Sequence, residues 1–280
     1  VKDLVLGFDV HPRSFCKSWI LPVFLTILVM SGHPAAAQSD KTWESLRENV
    51  FPNREIKDGS EILEIDAPVR AEDAAIVPIT VSLKDGVAKT ADFKTLTLIV
   101  DENPSPVVAT FTYGPASLSP SVETRVRVNA YSYVRAIGET SDGALYMVKR
   151  FVKASGGCSA PALKDEDQAN SDIGKMRFKA LADSGKDRRA QLMIRHPNYS
   201  GLQMNQVTRL YIPAHFVRDI EIERDGELVW KMEGGISISE NPNFIFSLKP
   251  SSGPQTIAVR AIDTDDKVFE QSFSLAEDKG

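Results

Sequence analysis

The sequence predicts an all-β protein made of two β-sandwich domains in tandem, with a short helix ahead of them. Three observations carry this. Alternating apolar and polar residues recur in short runs along most of the chain, turn-forming clusters separate the runs, and a polar acidic stretch near the middle interrupts the pattern before it resumes. Short alternating strands at regular spacing are the mark of a sandwich. At 280 residues, with 42% hydrophobic and 25% charged side chains, the composition is that of a globular protein with one large or two modest domains.

The helix is expected in Asp40–Pro52, where Trp43, Leu46, Val50 and Phe51 fall on one face and Pro52 stops it. The first group of strands follows: Ala74–Leu83, Phe93–Asp101, Val107–Pro115, Thr124–Thr140 and Ala144–Ala154. Ala162–Gly174 is acidic and aperiodic and reads as a linker. The second group runs through Lys175–Ala182, Ala190–Pro197, Phe216–Met232, Asn243–Pro250 and Thr256–Leu275, with hairpin turns at Arg224–Glu227 and Thr264–Lys267.

The first residues read as a targeting segment. Lys2, Arg13 and Lys17 give a positive start, Trp19–Met30 an apolar run, and Ala35–Gln38 an A-x-A site. In this order they describe a secretory signal peptide cut after Ala37. The apolar run is shorter than the roughly 20 residues of a membrane span, so no membrane contact is expected once it is removed. Cys16 leaves with it, and Cys158 becomes the one cysteine of the mature chain. An unpaired cysteine in an oxidising compartment points to an intermolecular bond or to a thiol kept for chemistry.

Other functions are disfavoured. The net charge is −5, which argues against nucleic acid, whose phosphates require a basic face. Lys186–Ala190 is the densest basic cluster and reads as a solvated loop. No Gly-x-Ser-x-Gly elbow, phosphate-cradling glycine loop or dinucleotide fingerprint is present. His196 and His215 lack metal-ligand spacing and read as loop anchors, bonded through a ring nitrogen to backbone. No catalytic residue, metal or cofactor is expected.

That leaves the stretch Ala154–Pro161, "ASGGCSAP". Gly156 and Gly157 are expected to give it flexibility, Ser155, Ser159 and Ala160 keep it slender, and Pro161 ends regular structure. Cys158 is therefore expected to be exposed and mobile, a site of covalent carriage. Lys149, Arg150, Lys153 and Lys164 flank it, opposed by Asp165, Glu166 and Asp167. A Cys158-linked homodimer and an inert linker residue are the alternatives, and the glycines disfavour a buried structural cysteine. A thiol oxidoreductase is disfavoured because no resolving cysteine accompanies it.

"ASGGCSAP" resembles the carrier motif of SoxY, the sulfur-carrier subunit of the periplasmic thiosulfate-oxidising Sox system. "IVPITV", "ENPSPVVATFTYGP" and "ETRVRVNAYSYVRAIGETSDG" extend the resemblance, while "LMIRHPNYSG", "IPAHFV", "ENPNFIFSL" and "AVRAIDTDD" resemble SoxZ, its partner. The resemblance implies two immunoglobulin-like β-sandwich domains: a signal peptide at 1–37, a SoxY-like domain at 38–153, a carrier-cysteine loop and linker at 154–174, and a SoxZ-like domain at 175–280. It implies a periplasmic carrier, not an enzyme, that holds a sulfur-containing intermediate on Cys158. Its partners would be Sox-type enzymes or a quinoprotein dehydrogenase with its cytochrome. SoxY carries its motif at a free C-terminus; here the motif is internal, and Ser159 and Ala160 replace its trailing glycines. The competing reading is an immunoglobulin-like interaction module that docks such a dehydrogenase without using Cys158.

Overall fold

The computed structural model describes residues 34–84, 86–87, 92–118, 120–161, 172–181 and 188–275. The charged start and apolar run of the expected signal peptide lie outside the described residues, as do Lys186 and most of the expected linker. The fold is all-β, as predicted, with one helix, α1 (Pro34–Val50), among the described residues.

Two sheets face each other. The larger has the hydrogen-bonded order β1 (Ile56–Asp58), β8 (Leu145–Val152), β7 (Ser132–Thr140), β4 (Phe93–Val100), β5 (Val107–Tyr113), β12 (Glu227–Gly234), β11 (Val217–Arg224), β14 (Gln255–Asp263), β15 (Val268–Leu275). The smaller runs β2 (Leu63–Asp66), β3 (Val77–Leu83), β6 (Val122–Val126), β13 (Asn243–Leu248), β10 (Arg188–Ile194), β9 (Met176–Ala180). Alternation supplies the inward faces: Val77, Ile79 and Val81 in β3 and Ile257, Val259 and Ala261 in β14 are buried while their neighbours are not.

Both sheets run through the junction between the two halves of the sequence. β5 pairs antiparallel with β12 from Tyr113↔Trp230 to Ala109↔Gly234, and β6 meets β13 at Glu123↔Ile245. The core is likewise shared. Phe111 of the first half packs edge-on against Trp230 and Phe244 of the second, with ring centroids 5.7 and 6.0 Å apart. Such aromatic pairs add to the burial of their area, so this junction is a core and not a soft seam.

Helix α1 starts earlier than the sequence reading placed it. Ala35–Ala37, the expected cleavage site, form its opening turn, in keeping with the helix preference of alanine and the fit of proline at a first helical position. Trp43 and Phe51 bury against Ile99, Ile137 and Leu145, with Leu46 and Val50 beside them. A polar anchor fixes the helix as well. Ser39 Oγ donates to Asp101 (2.8 Å) and accepts from the Tyr133 amide, while buried Arg135 bridges Asp101 and Asp40. Two strand boundaries also differ from expectation. β10 begins at buried Arg188, not after a basic loop. The single strand expected over Thr124–Thr140 breaks into β6 and β7, which lie in different sheets. The break, residues 127–131, forms one wall of the site described next.

Candidate functional site

The strip Ala154–Pro161 follows β8 and lies in no strand. It packs into the break between β6 and β7. The Gly156 amide donates to the Asn129 carbonyl (2.9 Å) and the Gly157 amide to the Val128 carbonyl (3.1 Å). Gly156 has φ near +80°, which glycine adopts without strain, and a Cβ there would meet nothing within 4 Å. Gly157 differs: a Cβ there would sit 2.0 Å from the Ala74 carbonyl oxygen and 2.8 Å from the Val128 nitrogen. Its missing side chain permits close backbone packing, where flexibility had been expected.

Cys158 is buried completely, at 0% exposure, and makes no disulfide. This corrects the expectation of an exposed, mobile thiol. Burial pushes its pKa up to about 11, opposed by the nearby Arg127 guanidinium. The cations expected to flank the thiol do not govern it: Lys149 pairs with Asp40 at 2.7 Å and sits over the Tyr133 ring, and Lys164 lies outside the described residues.

The opposite wall comes from the second half of the chain. Ser200 Oγ donates to the Cys158 carbonyl, and Gln203 Nε2 donates to the Ala160 carbonyl (2.9 Å). The Ser200 amide in turn donates to Gln203 Oε1 (3.1 Å). Arg127, 1% exposed, spans both walls, with Nη1 on the Gly157 carbonyl and Nη2 on the Asn198 carbonyl, each 3.2 Å. Asn103 holds the Arg127 carbonyl (2.7 Å) and the Asn129 amide (2.8 Å). The thiol is thus inward-facing on a strip clasped from both sides through backbone groups.

His196 and His215 meet beneath this clasp, although they stand far apart in sequence. Their ring centroids are 4.7 Å apart, and His215 Nε2 lies 2.9 Å from Asp263 Oδ2 and 3.4 Å from Asp265. One donor atom from each of His196, His215 and Asp263 falls within 4.8 Å of the others, a spacing that could hold a metal ion. The wiring does not fit one. The Asn198 amide donates to His196 Nδ1 (3.1 Å), so the proton of the neutral ring sits on Nε2, the nitrogen that faces Asp263. A ring that ligates through Nε2 needs that lone pair free and donates from Nδ1. The trio instead anchors the turn Asn198–Gly201, whose Ser200 clasps the cysteine strip. Asp263 was missed in the sequence; it stands in "AIDTDD", quoted for other reasons, and the pairing of β11 with β14, with Val217 opposite Asp263, brings it beside His215.

This anchor titrates. Burial, reinforced by His215, pushes the His196 ring down to about 4 from 6.5. Between those values the unfolded chain binds a proton that the fold excludes, so stability is complete above about pH 6.5 and falls as the pH drops toward about 4. About 2 kcal/mol is lost by about pH 5. Urea-unfolding curves of the wild type are expected to shift accordingly between about pH 7 and 5, and those of His196→Asn to shift less.

The description "Sulfur oxidation protein SoxY" matches residues 47–158, ending on Cys158, and "Sulphur oxidation protein SoxZ" matches residues 176–274. The chain belongs to the SoxYZ-like family. Its SoxY and SoxZ domains are those of a sulfur-oxidation carrier protein. Proteins of this system are typically periplasmic, and no described helix is long and apolar enough to cross a membrane. In these terms the clasp is a SoxY–SoxZ contact: the strip and Arg127 come from SoxY, Asn198, Ser200 and Gln203 from SoxZ.

Comparison with the curated proteins found no match. Among solved structures, fibronectin(III)-like modules of Clostridium thermocellum CbhA align at 15% identity over 77% of this chain and 94% of theirs, with a TM-score of 0.23. A Parabacteroides merdae β-glucuronidase aligns at 12% identity over 76% of this chain and 24% of its own, with a TM-score of 0.24. Neither likeness bears on function.

Proposed function

We propose that the protein is a periplasmic carrier that holds a sulfur-containing intermediate covalently on Cys158 and presents it to sulfur-oxidising enzymes. The supporting observation is the placement of Cys158. It is the free cysteine among the described residues, and it sits where the SoxY match ends, on a strip outside the β-ladders. Such a strip can open without breaking a sheet.

Delivery requires that opening, because the resting thiol is buried. Five hydrogen bonds hold the strip: from the Gly156 and Gly157 amides, and from Arg127, Ser200 and Gln203 to its carbonyls. At about 1 kcal/mol each, the open form costs about 5 kcal/mol and is populated about once in several thousand molecules. A partner that binds the open strip shifts this balance. The free thiol is thereby shielded from stray oxidants between encounters. Fusion of the two domains keeps the clasp intramolecular, so it re-forms at high effective concentration.

Burial of the thiol favours a second reading, a docking module for a redox enzyme in which Cys158 only fills space. Cys158→Ser separates the two. If carriage holds, cells bearing this variant in place of the wild type lose oxidation of reduced sulfur compounds. Undiminished oxidation with intact partner binding would establish the docking module.

A further inference from the structure

Arg127 is buried more deeply than a cation normally tolerates without a counter-ion. Among the described residues no carboxylate lies within 4 Å of it, its two terminal nitrogens are spent on carbonyls, and Nε has no partner. The acidic groups that act on it through space are Glu240, Cys158 and Asp73. Asp73 is exposed, where water screens it, and Glu240 acts on the guanidinium without forming a hydrogen bond or ion pair with it. The thiol of Cys158 also acts on it, and in the resting protein that thiol is neutral. The site therefore contains a buried guanidinium with no carboxylate in contact and an unpartnered Nε, and the carbonyl it grips, that of Gly157, is one residue from Cys158.

We propose that Arg127 is the built-in counter-cation for an anionic sulfur group on Cys158, so that the docked strip selects cargo ending in a negative charge, a persulfide or a sulfonate. This rests on carriage at Cys158 and adds the residue that reads the charge of the cargo. An anionic terminus pairs with the guanidinium in low dielectric, where the attraction is strong. A neutral adduct of equal size leaves Arg127 unpaired and holds the strip less firmly. Conversion of an anionic adduct to a neutral one would loosen the clasp.

The test uses purified full-length chain loaded chemically at about pH 9, where the strip opens and closes and more of the thiol is ionised. Tetrathionate gives the anionic adduct: the thiolate attacks a central sulfur, Cys158 Sγ–S–SO3− forms, and thiosulfate leaves with the electron pair of the broken S–S bond. Bis(2-hydroxyethyl) disulfide gives a neutral adduct of similar size: the mixed disulfide Cys158 Sγ–S–CH2CH2OH forms and 2-mercaptoethanolate leaves with the electron pair of the broken S–S bond. Thermal midpoints of the two loaded forms are then compared. The anionic form is expected to melt about 3 °C or more above the neutral one. The gap should close in Arg127→Gln and survive in part in Arg127→Lys. Coincident midpoints in the wild type, or a lower one for the anionic form, overturn the proposal without recourse to a variant that fails to fold. Because loading is chemical, the outcome is independent of whether cells use Cys158. A charge gap without any adduct in vivo would sink the carriage reading and keep the anion site, and the converse result would do the opposite.

Discussion

Native protein at about pH 8 will react with iodoacetamide at Cys158 at least about 100-fold more slowly than the same chain in denaturant. The factor follows from the thiolate population alone. The thiolate is the nucleophile, and burial moves its pKa up to about 11, so about 100-fold fewer molecules carry it than for an ordinary thiol. Steric closure slows the reaction further, since Cys158 is wholly buried and reagent enters only when the clasp opens. Time-resolved mass spectrometry of the alkylated peptide gives both rates. Equal rates would mean that the strip is open at rest, and the clasp through Arg127, Ser200 and Gln203 would then contribute nothing.

Gly157→Ala will release the strip. The added methyl group would lie 2.0 Å from the Ala74 carbonyl oxygen and 2.6 Å from its carbon. These are backbone atoms, and Ala74 is itself held by the Val128 amide at 2.8 Å, so the strip must move instead. A loss of about 1–3 kcal/mol is expected, as for other forced contacts in packed regions, with a rise in Cys158 alkylation of at least about tenfold. Gly156→Ala is the control. It carries the cost of a positive φ, about 1 kcal/mol, but its methyl group points into open space. Its thiol should stay better protected than that of Gly157→Ala. Equal exposure in the two variants would show that backbone conformation, and not close packing at Gly157, sets the strip.

Much of the fold was legible because its information is local. Alternation located the strands, Trp43 and Phe51 marked the buried helix face, and Asp225-Gly226, both at positive φ, make the hairpin turn expected at Arg224–Glu227. The pairing of β5 with β12 was not legible. Alternation specifies which face of a strand is buried but not which distant strand lies beside it, and so it showed the two sandwich domains without showing that their sheets join. Cys158 stood out in the sequence, but its surroundings were misjudged, since it is buried. A glycine pair has two uses, a positive φ and close approach, and local sequence does not separate them. Gly156 has the first and Gly157 the second. Arg127 was hidden for a related reason: in "RVRVNAY" it looked like one more polar residue of an alternating strand, whereas the strand ends at Val126 and turns Arg127 inward onto the cysteine strip.

Carriage of cargo by Cys158 from within this clasp can be read by intact-mass spectrometry of the protein, purified without reductant from its own cells during growth on a reduced sulfur compound. A sulfur adduct is expected that maps to Cys158, ends in an anionic group, and is absent from Cys158→Ser. An unmodified Cys158 thiol throughout growth, in cells that oxidise sulfur at the full rate, would contradict it.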